Sequence, residues 1–504
     1  MPEPSFYVIP FSANNLAEAL SNHLMSADQV KPKRHYRYFL EYLGSNRDGL
    51  NARTIVIENR YISKSYLIDY SSYYSTCFSD YGRFCKRVHF FSCSFSKKKF
   101  SNSVGNLSSQ SKQLWDAYLG YIVVKPLPSI PIGATVLKTY NHTSTNKRFF
   151  PSLKNYKINL FGKELHINSL AFQEQDSVVG ACASSALWTA FHKTSDFFQT
   201  PLPSPSDITK SAKNLFDSSG RTFPNSGLDY YQIGNAIESV GLVSELRNSS
   251  KFTGMKNINY LKAFIYAYNK MGLPVLLGIN FVGIGAHLIC VTGYKMSNDI
   301  QYPKTREMPL KASKIENLYV HDDQIGPFSK LGFTSDGRIE TGWITADGSH
   351  QPAELVSVII PIHNKIRLTF ENIYMKIRWV DFYFSKRLAS AEINWDIYID
   401  SSNDFKKSVH ESQLIPTSLK YRILIDPLPK YIWIAKGFFN GECMIELLFD
   451  ATQIASANFC LKINTYNLSI KKLLSIDLSI DSVRNYFIEN VGLPFLKLLT
   501  MSSK

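Results

Sequence analysis

Phosphate-cradling and zinc-chelating signatures are missing from this chain. It contains no G-x-x-x-x-G-K-[ST] run that would form a P-loop, and no H-E-x-x-H pair. The run Gly283-Ile284-Gly285-Ala286-His287 has two glycines but not the rest of a dinucleotide fingerprint. Cysteine is scarce. Seven thiols in 504 residues, an odd number, argue against a disulfide framework and make a reducing cytoplasm the expected compartment. The first residues lack a basic stretch followed by an apolar one, so no signal peptide is expected. Long apolar runs are also rare. Met271 to Tyr294 holds no Lys, Arg, Asp or Glu, but Pro274, Asn280, His287 and several glycines interrupt it. That text predicts two buried strands joined by a turn, not a transmembrane segment. No internal repeat or heptad pattern is present.

Apolar side chains at 44% and aromatic ones at 13% describe a folded chain, long enough for several domains. The net charge of +15 is uneven. Residues 1–150 carry 19 Lys/Arg against 9 Asp/Glu, residues 151–363 carry 19 against 18, and residues 364–504 carry 18 against 14. The basic excess therefore lies mainly in the first part, where it suits an acidic partner or nucleic acid, or simply a solvated surface.

Three regions are expected: 1–150 basic, aromatic and β-rich; 151–363 alternating helices and strands; and 364–504 α+β. Arg53 to Tyr74 reads as strands, and Ser94 to Lys112 as a polar, basic loop. Ala181 to Lys193 reads as a helix. Ser204 is an N-cap with Pro205 at the first helical position. Ile233, Ala236, Ile237 and Val240 share one helical face, as do Leu261, Phe264, Ile265 and Tyr268. In the tail, the segments beginning at Arg367, Lys420, Lys430 and Met444 read as strands. Helices followed by sheet within the middle region predict an α+β fold.

One constellation in that region carries chemistry. Cys182 precedes an apolar-periodic helix, whose free N–H groups and dipole favour a thiolate. Gln175 lies seven residues upstream, where its amide, with the Cys182 N–H, would make an oxyanion hole; Gln173 is a rival. His287 opens a buried strand after two glycines and would serve as general base. Asp322 ends the next predicted strand and would fix the imidazole's tautomer, with Asp323 as rival. Strand alternation lets only one of the two face inward. Weaker patterns compete. His287 with His321, Asp322 and Asp323 could ligate a metal, and Cys85, His89 and Cys93, with Cys77 nearby, have loose zinc-like spacing on a strand-like stretch.

Around these residues the middle region, roughly 165–362, resembles the papain-like cysteine proteases. Its Asp-bearing end is similar to bacteriocin-processing bacterial peptidases. Gln175, Gly180-Ala181-Cys182, Pro274-Val275, His287 with Gly293-Tyr294 six residues on, and Asp322 with Gly326 match the family's pattern. Ala183 departs from it, standing where an aromatic residue commonly follows the cysteine. The resemblance implies a papain-like central domain, a helical half plus an antiparallel sheet. It implies a cysteine peptidase with a Cys182–His287–Asp322 triad, a protein or peptide substrate, and no cofactor. A deamidase, transglutaminase or acyltransferase would use the same residues. A non-catalytic scaffold or a nucleic-acid-binding protein would not need them.

Overall fold

A computed structural model of the chain describes residues 5–46, 48–105, 109–129, 131–176, 180–213, 227–249, 255–298, 308–344, 348–388, 393–454 and 459–503. These form two compact units. Unit 1 comprises Met1–Lys251, Leu273–Met296 and Glu316–Pro361, and unit 2 comprises Phe252–Gly272, Ser297–Ile315 and Ile362–Lys504.

Unit 1 begins with an antiparallel sheet ordered β1 (Phe6–Pro10), β2 (Thr54–Tyr61), β3 (Cys85–Phe91), β4 (Tyr118–Val124), β5 (Ile132–Leu137). β-Branched and aromatic residues fill both faces, so both must be covered. Helices do this: α1 (Ala13–Leu20), α2 (Ala27–Val30), α3 (Arg34–Leu43), α4 (Lys64–Ser72), α5 (Lys97–Gly105) and α6 (Ser109–Asp116). Two expectations are corrected here. The second half of Arg53–Tyr74 is helix α4, which buries Tyr66 and Asp69, and the basic stretch after Ser94 supplies α5, anchored by buried Phe100. In both, a few apolar anchors among polar residues are enough once a sheet face is waiting for them.

After a short β6 (Lys147–Phe149), β7 (Lys154–Leu160) and β8 (Lys163–Ser169) make a hairpin. Helices α7 (Cys182–Phe198), α8 (Pro205–Ser211) and α9 (Tyr230–Ser239) follow, then β9 (Leu242–Asn248). Ser204 caps α8 by accepting from the Asp207 N–H. Six strands then meander: β10 (Val275–Phe281), β11 (Gly285–Met296), β12 (Ile315–Asp322), β13 (Gly326–Phe333), β14 (Ile339–Ile344) and β15 (His350–His363). Strand β15 pairs back onto β10, Leu276 opposite Ile359, and the sheet closes into a barrel. One face of α7 (Ala183, Ala186, Leu187, Ala190, Phe191) packs with Leu276, Leu288, Cys290 and Ile359 of the barrel. The same core takes in Val56, Phe91 and Val136 of the first sheet.

Unit 2 contains α10 (Met255–Asn269), α11 (Phe370–Arg387), a sheet ordered β16 (Asn394–Ser401), β17 (Tyr431–Phe439), β18 (Glu442–Asp450), β19 (Cys460–Thr465), and helices α12 (Ser402–Glu411), α13 (Thr417–Ile425), α14 (Leu468–Asp477), α15 (Asp481–Asn490) and α16 (Leu493–Ser502). The segments at Arg367 and Lys420, expected as strands, are helices α11 and α13. In α11 the buried Phe370, Ile373, Ile377 and Val380 recur at helical spacing.

The fold-class expectation is corrected as well. The chain is a multidomain α+β protein with an N-terminal antiparallel sheet, a central barrel and a C-terminal α+β sheet, not a papain-like bilobal domain. The middle strands close on themselves. Helix α10, expected in a helical half beside Cys182, belongs to the other unit.

Candidate acid–base site

The site lies at one rim of the barrel. Strand β10 ends at Phe281, and a turn in which Ile284 N–H donates to Phe281 O (3.0 Å) leads into β11. Gly283 and Gly285 adopt positive φ (79° and 129°) in that turn, which other residues rarely do. His287 thereby enters early in β11, paired opposite Ile279. Strand β12 ends at Asp322, where a turn closed by Ile325 N–H to Asp322 O (2.9 Å) runs to Gly326.

His287 Nε2 donates to Asp322 Oδ1 at 2.9 Å and lies 3.4 Å from Asp323 Oδ1. All three side chains are buried. Asp322 Oδ1 also accepts from Gln324 N–H (3.0 Å), and its Oδ2 accepts from Trp343 Nε1 (3.1 Å). Asp323 Oδ2 accepts from Gln324 Nε2 (3.1 Å), while its Oδ1 has no hydrogen-bond partner among the described residues. The Trp343 ring stacks on Phe281 at 4.5 Å and stands 5.6 Å from the His287 ring.

Electrostatics follow from this enclosure. Burial alone would lower the His287 pKa. The charges of Asp322 and Asp323, with hydrogen bonds from the ring to Asp322 and to the Cys182 side chain, outweigh it and raise it well above the ordinary histidine value. Burial would raise Asp322, but His287, Gln324 and Trp343 hold it below the usual carboxylate range. Asp323 is pushed up to about 6, by burial and by the neighbouring Asp322 charge.

A cavity of about 250 Å³ opens onto His287. It is also lined by Gln175, Ala181, Cys182, Phe281, Gln324 and Trp343. Cys182 is the first residue of α7, half-buried, and Ser184 Oγ accepts from the Ala181 N–H at the helix start. Gln173 is buried and does not line the cavity. The structure thus brings Gln175, Cys182, His287 and Asp322 to one place. His321, weighed as a ligand, points elsewhere, its ring edge-on to Phe328 at 4.6 Å. Cys85 and His89 lie within strand β3, and the buried His89 ring contacts Tyr118 at 2.8 Å.

No protein-family model matches the chain, and no curated protein matches it.

The cysteine-peptidase reading and the papain-like resemblance behind it are corrected by the group around His287. That group is His287–Asp322–Asp323, with ligating atoms within 4.8 Å of one another, rather than a single-carboxylate triad. A cysteine peptidase would need His287 to take the Cys182 proton. Two buried carboxylates, not one, raise the proton affinity of that ring above the ordinary histidine value. Strand alternation also misled. Asp323 follows the last residue of β12, and the register shifts between Val320 and Asp322, so both carboxylates turn toward the ring. The three residues have the ligand types of a cation site. As placed, however, Nε2 gives its proton to Asp322, and a metal would have to displace it. Trp343 and Gln324 were not read from the sequence, because nothing in their spacing marks them.

Proposed function

We propose that the chain carries an acid–base site for a small polar group, with His287 as the proton donor, Asp322 as its charge partner and Asp323 as a second proton-holding carboxylate. The observation that carries this reading is the His287 ring nitrogen, 2.9 Å from one buried carboxylate and 3.4 Å from another, on the wall of an open cavity. Gln175 and Cys182 would face the bound group, the amide as a hydrogen-bond donor. A cavity of about 250 Å³ is smaller than those that enclose drug-sized ligands, roughly 300–1,000 Å³. It suits a small molecule, or one side chain or terminus of a peptide.

Among the described residues no helix is long and apolar enough to cross a membrane. The seven free thiols fit a reducing compartment such as the cytoplasm. The basic excess of residues 1–150 supports an acidic partner for that region, nucleic acid included.

Ring-labelled histidine followed by NMR against pH tests the acid–base reading, with His287→Asn used to assign the signal. The His287 ring should titrate above the ordinary histidine range, and Asp322→Asn should return it toward that range. Titration of the wild-type ring near 6.5 would overturn the reading.

A further inference from the structure

Helix α3 lies far from the site in sequence, yet its first turns touch both loops that build it. His35, 6% exposed, donates from Nε2 to the Asp323 backbone carbonyl at 2.7 Å. Its Nδ1 stands 3.6 Å from Glu174 Oε1, and Lys33 Nζ stands 3.5 Å from the same oxygen. The Arg34 guanidinium covers the Trp343 ring at 4.5 Å, and Tyr38 OH donates to the Pro327 carbonyl. On the other side of Gln175, Asp176 Oδ2 accepts from Tyr74 OH at 2.6 Å. Gln175 is thus held between two residues that the N-terminal part of the chain secures.

We infer that α3 completes the site, with His35 as a positioning residue that fixes the Asp323 turn and the Glu174–Gln175 segment relative to each other. This rests on the acid–base reading above. The contact is aimed at main chain on one side and at a carboxylate on the other. A buried imidazole serving only to fill space needs neither. Gly326 reinforces the fit: a Cβ there would meet Tyr38 Cδ1 at 2.3 Å, so the Tyr38 ring packs directly onto the backbone of the turn.

The full-length protein is compared as wild type, His35→Ala and His35→Gln. Iodoacetamide is the probe, alkylation of the Cys182 peptide is read by mass spectrometry across pH, and amide hydrogen exchange is read at 173–176 and 320–328. His35→Ala should change the Cys182 rate at neutral pH on the order of tenfold, as small misplacements in such sites do. It should also move the midpoint of the pH profile and raise exchange in both segments. His35→Gln, whose amide still reaches the carbonyl, should recover most of each. An unchanged pH profile, or faster exchange confined to α3 itself, would overturn the inference. If His35→Ala does not fold, Tyr38→Phe takes its place, and an unshifted profile there is equally fatal. Failure of the acid–base reading looks different. The wild-type profile would then be the same as that of His287→Asn, while exchange at the two segments would still respond to His35.

Discussion

Trp343 shows how one side chain can serve both the charge and the shape of a site. Its indole N–H gives Asp322 a donor and its face stacks on Phe281. Trp343→Phe keeps the stack and leaves a buried carboxylate oxygen without that partner. Removing a hydrogen bond to a charged group costs about 1.5–3 kcal/mol, so urea denaturation should show a loss in that range. An unchanged midpoint would mean that water replaces the indole. A second residue, Asp69, offers a test with a definite sign. It is 5% exposed, and burial pushes its carboxyl up to about 6, despite the Lys125 charge and the Ser206 N–H at 3.2 Å. Its folded pKa lies above the unfolded one. Its favourable contribution is therefore present below about pH 4 and lost as pH rises through 6, a change of about 3 kcal/mol by linkage. Asp69→Asn should be the more stable of the two proteins at pH 7.5 relative to their difference at pH 4.5. Denaturation curves that stay equally spaced at both pH values would refute this.

Among elements, the barrel seam between β10 and β15 leaves little room for an added side chain. Gly278 sits opposite Ser357, and an added Cβ would come within 2.4 Å of the Ser357 hydroxyl, which is fully buried. Gly278→Ala should cost about 1–3 kcal/mol through overpacking. Gly278→Ala combined with Ser357→Gly should recover most of that loss, and thermal unfolding of the three variants checks it. A double variant no better than the single one would locate the strain elsewhere. At this scale the sequence was legible where one local signal dominated. Ser204 with Pro205 marked the start of α8, and the uncharged run after Met271 marked β10 and β11. It misled at α4, α11 and α13, where Tyr, Ile and Phe raised the strand propensity. There, helical spacing of a few anchors against a neighbouring layer decided the outcome.

For the whole molecule, the order of the chain and the order of the units differ. Unit 2 draws on three separate segments, so a cut after residue 363 divides it. Helix α10 packs within that unit. Tyr268 meets Trp433 at 5.2 Å and its hydroxyl accepts from Phe370 N–H at 3.1 Å, while Lys270 pairs with Asp396 at 3.1 Å. A chain ending at 363 would expose Phe264 and Tyr268, which are fully buried in the whole protein. It should bind a hydrophobic dye strongly and aggregate, as measured by ANS fluorescence and light scattering. A well-folded, dye-silent 1–363 fragment would show that α10 does not depend on the rest of unit 2.

By itself the sequence determined the pieces whose causes are local. Cys182 opens a helix, His287 follows a glycine turn into a strand, and Asp322 closes the next strand, each written in a few neighbouring residues. Tertiary structure alone decided that the strands would close into a barrel, that Asp323 would join Asp322 at one imidazole, and that His35 would hold the turn from the far end of the chain. Those outcomes join residues from 35 to 288 positions apart. Short-range periodicity carries no information about which distant segments pair, or about how a turn re-aims the residue that follows a strand. Only once those segments meet are an imidazole and two carboxylates buried side by side.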